Sequence, residues 1–290
     1  MLWLNACRPK TLVASIVPVA VGGGMALCDA SSINWFLLTN CLLFSILVQI
    51  GTNLANDYFD FRKGADQNRH NAPSRITSSG LIAPTKVRNM AYLILLSSFI
   101  VGLFILSLSN APSHLIWVGL ASVICAVIYT GGPFPLAYNG LGDVFVVLFF
   151  GIVAVEGTRF VLLTEQNLIF EPNLLVGLAC GLVINTLLVL NNYRDYDEDK
   201  INRKRTLVVI GGRKFGYYLY VACFGLSIGL IPLIESKINL LLFCLPIGFY
   251  LVYQLPRAKS KSDFDRLLSL NALLVLLFGA ITPISLLISY

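Results

Sequence analysis

Charge is scarce in this chain. Of its 290 residues, 12% are Asp, Glu, Lys or Arg, against about a quarter in a soluble domain. With 57% hydrophobic residues and a mean hydropathy of +0.78, there is too little polar surface to cover a water-soluble fold. The composition excludes that class and points to a polytopic membrane protein. Histidine is nearly absent: His70 and His114 are the only two, which argues against a zinc centre. The seven cysteines (Cys7, Cys28, Cys41, Cys125, Cys180, Cys223 and Cys244) form no C-x-x-C pair. Most lie in apolar runs, where cysteine acts as a small hydrophobic filler. The N-terminus lacks a basic region followed by a short apolar core and a small-residue cleavage site. Leu27 before Cys28 is a poor lipoprotein site, so the first apolar segment is expected to be retained. Nucleic acid is not an expected partner.

What the chain has instead is long apolar stretches. Nine can be marked, at roughly 11–28, 35–56, 90–109, 114–130, 143–163, 173–191, 215–234, 238–254 and 267–288. Their length and their Gly and Pro content suit membrane helices and not barrel strands. The expected fold is an all-α membrane protein of nine transmembrane helices in one domain, residues 1–290. With the N-terminus inside, the inner segments hold 19 of the 21 Lys and Arg residues. That asymmetry sets the N-terminus in the cytoplasm and the C-terminus outside. The exceptions are Lys237, in an outer loop, and Arg159, inside the fifth stretch three residues after Glu156. Such a pair can close within its own helix.

Two acidic clusters stand out against this background. The first runs Asn56-Asp57-Tyr58-Phe59-Asp60 and continues to Gly64 and Asp66; the second runs Asn191-Asn192-Tyr193-Arg194-Asp195 and continues to Asp199. Each ends an apolar stretch, the second and the sixth. The duplication suggests two four-helix halves, about 1–142 and 143–254, with 267–288 as a ninth helix. Carboxylates this close to a bilayer usually have a function. Asn56 and Asp60 share a helix face, as do Asp195 and Asp199, with Asn192 adding an amide oxygen. Incomplete sets of oxygen ligands suit Mg²⁺, which keeps water and takes substrate phosphate oxygens. Asn56, Asp57, Asp60, Asp66, Asn192, Asp195 and Asp199 are the candidate ligands, for two ions bridging a diphosphate. Asp197 and Glu198 add to what reads as a strongly negative pocket. Two cations would reverse that field, and Arg62, Lys63, Arg194 and Lys204 stand nearest in sequence to hold phosphate oxygens. A transporter would place its ionisable residues near the bilayer midplane. Here they gather at helix ends, although a lipid carrier remains the competing class.

These motifs resemble those of the UbiA superfamily of membrane prenyltransferases. N-D-x-x-D matches Asn56-Asp57-x-x-Asp60, and D-x-x-x-D matches Asp195-x-x-x-Asp199. Arg8-Pro9-Lys10-Thr11-Leu12, Tyr129-Thr130-Gly131-Gly132-Pro133, Gly140-Leu141-Gly142-Asp143 and Thr206-Leu207 extend the likeness over nearly the whole chain. The segment from Tyr129 to Asp143 resembles most the branch that prenylates 1,4-dihydroxy-2-naphthoate. The resemblance implies a nine-helix bundle and a Mg²⁺-dependent transfer from polyprenyl diphosphate to an aromatic acid within membrane lipids. It implies metal or diphosphate roles for Asn56, Asp60, Asn192, Asp195 and Asp199, with Asp57 and Asp66 beside them. Lys63, Arg194, Lys204 and Arg8 would contact diphosphate. Tyr138 and Asp143 are candidates to position the acceptor; Tyr58, Tyr129, Phe145, Phe149 and Tyr193 are candidates to shield an allylic cation. A 6-carboxylated naphthoate, 4-hydroxybenzoate, homogentisate and haem are rival acceptors. Arg203-Lys204 departs from the Gly-Lys common in the family at that place.

Overall fold

The computed structural model describes residue 3 and residues 6–65, 75–230 and 240–289. Asp66 and Lys237, both given roles above, lie outside the described residues. So do residues 231–234, the end of the seventh expected stretch.

The helices in chain order are α1 (Pro9–Asp29), α2 (Trp35–Arg62), α3 (Pro84–Leu108), α4 (Leu115–Ile128), α5 (Gly142–Glu165), α6 (Leu174–Arg194), α7 (Tyr196–Ile201), α8 (Leu207–Gly229), α9 (Leu240–Arg257) and α10 (Lys261–Ser289). Among the described residues there is no strand, only an isolated parallel bridge between Asn139 and Arg205. Among the described residues, seven helices, α1, α2, α3, α5, α6, α9 and α10, are long and apolar enough to cross a membrane. α4 is apolar but has only 14 residues. α8 has 23 residues and carries Arg213 and Lys214 near its start. With the helical fold, this hydropathy makes the chain an integral membrane protein.

Local chemistry sets the helix ends. The Asn34 side chain accepts a hydrogen bond from the Leu37 amide and starts α2; Thr206 does the same for α8 through the Val209 amide. Both are ordinary N-caps. Pro9 and Pro84 occupy the first turns of α1 and α3, where a missing N–H costs nothing. α2 runs past the end of its apolar stretch to Arg62, so Asn56, Asp57 and Asp60 are all helical. α8 is broken at Gly212, whose φ of 83° is in the left-handed region.

Burial ranks the helices. In their most apolar windows, 67% of α1 and of α6 is buried, against 22% of α2 and of α3. α1 and α6 are therefore central, and α2 and α3 face lipid. Outward side chains such as Trp35, Leu93, Ile100, Trp117 and Phe249 are exposed, as a protein solvated by acyl chains requires. Backbones approach closely where the middle of α5 crosses α6. There Val147–Val153 forms a π-helical stretch, and a Cβ on Gly151 would stand 2.4 Å from the Gly177 carbonyl oxygen. Small residues at helix crossings let backbones meet where no hydrophobic force from water drives association.

The two ends of the bundle differ. The C-termini of α2 and α6 meet the N-termini of α1, α5 and α10 at one end, joined by side chains described below. At the other end Arg159 donates to Asp29 (2.6 Å) and to the Glu171 carbonyl (2.8 Å) and stands 3.6 Å from Glu156. The expected Glu156–Arg159 pair is thus present, but the shorter bond runs from α5 to the end of α1. Both side chains are buried, and neither lines the cavity described next.

Candidate active site

A cavity of about 850 Å³ enters the bundle from the acidic end. Arg8, Asn56, Asp57, Asp60, Arg75, Asn192, Arg194, Asp195 and Lys204 line it there; apolar side chains such as Phe44, Leu103, Leu106 and Val161 line its depth. Beside its mouth, a hollow of about 10 Å³ is walled by Asp60, Ala65, Arg75, Asp195, Glu198, Asp199 and Lys204. The two acidic clusters, 135 residues apart in sequence, therefore share one small space.

In the first cluster, Asp60 is 2% exposed. One carboxylate oxygen accepts from the Tyr138 hydroxyl (2.8 Å), the other from the Arg75 guanidinium (2.6 Å). Arg75 also donates to the Asn56 carbonyl (3.1 Å). Asp57 forms a salt bridge with Arg8 and stands 3.6 Å from the Arg75 Nε. The Asn56 side-chain oxygen accepts from the Thr130 hydroxyl (2.7 Å). In the second cluster, Arg194 donates to both carboxylate oxygens of Asp195 (2.6 and 2.9 Å). Lys204 stands 3.5 Å from Asp199. The pocket is therefore not the strongly negative one that the acids alone suggest. Each of these four carboxylates already has a basic partner, and Arg75, to which no role was given from sequence, changes the balance at Asp60 and Asp57.

The loops before α5 and α8 close over this end. The Arg205 amide donates to the Tyr138 carbonyl (3.2 Å), and the Lys204 amide to the Asp199 carbonyl (2.8 Å). Arg203 takes a φ of 55°, so the tight turn expected of a glycine is made by an arginine, and Lys204 is still delivered to Asp199. Tyr138 is a clamp on Asp60 and does not line the cavity. Burial and the Asp60 carboxylate push its phenol well above the ordinary range, so it remains a hydrogen-bond donor. Lys63 donates to the Thr130 carbonyl (2.6 Å) and lies 4.1 Å over the Tyr138 ring. Burial, with the nearby Lys204, lowers its pKa against the opposing pull of Asp60. Neither Lys63 nor Arg62, which bonds the Tyr58 hydroxyl at 3.4 Å, lines the cavity. Of the aromatic candidates, Tyr129, Phe145 and Phe149 line it and Tyr58 and Tyr193 do not; the Phe145 and Phe149 rings stack at 5.9 Å. Asp143 lines it, buried, accepting from Asn185 (3.1 Å).

The donor set suits a hard cation. It offers only oxygens: Asp60, Asp195, Glu198 and Asp199 around the hollow, with Asn56 and Asn192 on the adjoining wall. Among the described residues, no three His, Cys, Asp or Glu side chains are grouped so as to hold an ion by themselves. Carboxylate and amide oxygens of this kind suit Mg²⁺, which commonly completes its shell with water and phosphate oxygens. Beyond Arg75, sequence reasoning gave no role to Thr130 or to the amides Gln49 and Asn53, whereas Glu198, expected in the acidic pocket, does wall the hollow. The two amides did carry a signal, since they interrupt an apolar helix at i and i+4 on the face of Asn56 and Asp57.

Comparison with known proteins agrees with this geometry. The UbiA prenyltransferase family model matches residues 15–285. A 1,4-dihydroxy-2-naphthoate octaprenyltransferase of Mycobacterium leprae (strain TN) is 36% identical over 220 residues, 76% of this chain and 72% of the relative. A Haemophilus influenzae protein of the same name is 31% identical over 213 residues, 72% of this chain and 68% of the relative. A solved UbiA homolog from Archaeoglobus fulgidus, bound to GPP and Mg²⁺, superposes with a TM-score of 0.67 at 14% identity, covering 97% of this chain and 99% of that one. A cavity that joins two acid–amide clusters, on this fold and with these relatives, makes the chain a member of the UbiA prenyltransferase family.

Proposed function

We propose that this protein transfers a polyprenyl group from polyprenyl diphosphate to 1,4-dihydroxy-2-naphthoate with loss of CO₂, giving demethylmenaquinol. The observation that carries this is the shared hollow between Asp60, Asp195 and Asp199 at the mouth of a deep apolar cavity. The apolar depth holds a lipid tail, and the charged mouth holds a diphosphate. The branch rests on relatives that share about a third of the sequence and bear that name.

In this reading Asp60, Asp195 and Asp199, with Asn56 and Asn192, are the residues that would hold two Mg²⁺ ions beside the diphosphate. Bound there, Mg²⁺ would supply positive charge against the leaving diphosphate. Arg8, Arg75, Arg194 and Lys204 line the mouth and take the remaining phosphate oxygens as the C–O bond breaks. Each gives up a carboxylate partner in exchange. Tyr138 fixes the Asp60 carboxylate, and Lys63 fixes Tyr138. The allylic cation faces Tyr129, Phe145 and Phe149, whose ring faces favour positive charge. Attack by the ring forms the C–C bond. The attacked carbon loses a proton, and a proton replaces the carboxylate as CO₂ departs.

The span count proposed is nine, with α4 and α8 added to the seven long apolar helices. The N-terminus and the charged mouth face the cytoplasm of a bacterium, where phosphorylated donors and Mg²⁺ are present. The basic residues at the mouth follow the positive-inside rule. The test supplies membranes containing the protein with radiolabelled polyprenyl diphosphate, Mg²⁺ and each candidate aromatic acid in turn. A Mg²⁺-dependent lipid product with 1,4-dihydroxy-2-naphthoate and release of CO₂ is expected. Asp60→Ala and Asp195→Ala should each lower turnover by at least a thousandfold at normal protein levels. Unchanged turnover in either removes the metal role assigned here. Product with a different acid moves the branch, and donor binding without any product leaves a lipid carrier.

A further inference from the structure

The cavity wall contributed by α2 is polar far below the acidic mouth. Gln49 lies two helical turns, about 10 Å, deeper than Asn56. It is 8% exposed and lines the cavity. Its amide nitrogen donates to the Asn53 side-chain oxygen (3.3 Å). Asn53 in turn donates to the Cys7 carbonyl (3.0 Å) and to the Thr11 hydroxyl oxygen (3.1 Å). The Thr11 hydroxyl donates to the Arg8 carbonyl (2.9 Å).

This chain of bonds has only one direction. The Cys7 carbonyl can only accept, so Asn53 must turn its NH₂ group towards it. The Asn53 oxygen then faces Gln49, and Gln49 must offer its own NH₂ group in return. The Gln49 oxygen is left over, buried and without a hydrogen-bond partner among the described residues. A buried acceptor with nothing to accept is costly in an apolar surround, so the site favours a ligand that brings a donor. The two substrates of the proposed reaction differ in that respect. An ionised polyprenyl diphosphate has an all-hydrocarbon tail and no N–H or O–H group to place at this depth. A dihydroxynaphthoate carries two ring hydroxyls.

We propose that Gln49 is an acceptor-recognition residue: its side-chain oxygen takes a hydrogen bond from a phenolic hydroxyl of the aromatic substrate. The bonds from Asn53 to the Cys7 carbonyl and to Thr11 at the start of α1 hold it in that polarity. The bond holds the naphthalene ring in the cavity that Tyr129 and Phe149 also line, deeper than the diphosphate. The inference rests on the aromatic prenyl transfer proposed above and deepens it. It assigns the choice of acceptor to α2 and leaves the donor to the charged mouth.

Two measurements test it. In the wild-type protein, inhibition constants are compared for 1,4-dihydroxy-2-naphthoate analogues whose ring hydroxyls are free or methylated. At least one O-methyl ether is expected to bind tenfold or more weakly than its free phenol; equal binding of all the ethers overturns the proposal without any variant. In Gln49→Met, similar in size but without the amide, KM for the aromatic acid should rise tenfold or more. KM for polyprenyl diphosphate should stay within twofold, which also shows that the variant is folded. The preference of phenol over ether should disappear. An unchanged KM for the aromatic acid, or a preference that persists in Gln49→Met, overturns the proposal. Wild-type turnover with 1,4-dihydroxy-2-naphthoate is the separate check on the reaction itself: its absence counts against the proposed function, whereas its presence with an unchanged Gln49→Met counts against this residue alone.

Discussion

Arg203 shows how a single residue can depart from a pattern and keep its geometry. Its φ of 55° is a conformation that costs a non-glycine residue about 1–2 kcal/mol. Glycine would relieve that strain but lose more freedom on folding. Arg203→Gly is therefore expected to shift stability by less than about 1 kcal/mol and to keep full turnover. Arg203→Val, β-branched in the same turn, should lower the melting temperature in detergent and weaken diphosphate binding by misplacing Lys204. Equal behaviour of the two variants would show that the turn is not strained. Residues of this kind also show what was legible in the sequence. Asn56, Asp60 and Asp195 stood out because an acid or amide at the end of an apolar run is costly without a purpose. Arg75 did not, because it lies in a polar stretch where one more arginine is ordinary, and only the fold carries it back to Asp60. Lys63 was assigned to diphosphate because it stands close to the first acidic cluster in sequence and the family resemblance implies that role. At the end of α2 its ammonium donates to the Thr130 carbonyl and does not line the cavity.

At the scale of elements, hydropathy located the helices but not their irregularities. The π-helical stretch Val147–Val153 in α5 has no composition of its own, because it changes only which carbonyl each amide finds. It carries Phe149 into the cavity wall and lies where α5 closely meets α6. A Cβ on Gly181 would stand 2.6 Å from the Val147 carbonyl oxygen, whereas one on Gly225 of α8 would meet nothing within 4 Å. Gly181→Ala should thus force the helices apart and destabilise the protein by roughly 1–3 kcal/mol. Gly225→Ala should be neutral or slightly stabilising. Thermal unfolding of the purified variants in one detergent compares them directly, and equal losses would count against the close crossing. The extension of α2 to Arg62 was hidden for a related reason. Its last turns are polar, so hydropathy ends at residue 56 while the backbone hydrogen bonds continue.

Over the whole molecule, the bundle separates its chemistry by depth. One end gathers most of the acids and bases, the middle is largely apolar, and the far end is tied by Arg159 to Asp29 and the Glu171 carbonyl. The general plan was legible because membrane insertion imposes it on composition directly. The charge state of the mouth was not, because it depends on which base meets which acid across four different segments. That state has a thermodynamic consequence. Asp57, Asp60, Asp195 and Asp199 face Arg8, Arg75, Arg194 and Lys204, so the resting site is close to electrically self-compensated. A divalent cation arriving alone must displace a base and leave net positive charge behind; a diphosphate arriving alone must draw a base away and leave a carboxylate bare. Arriving together, they trade partners with little change in total charge. The two ligands are accordingly expected to be strongly linked, each raising the other's affinity by the same factor. Titrations of Mg²⁺ with and without a non-hydrolysable donor analogue, and of the analogue with and without Mg²⁺, should return equal factors of tenfold or more. Independent binding would mean that the bases do not move. Such linkage would give the protein a safeguard, because neither a free metal ion nor a stray phosphate would occupy the site on its own.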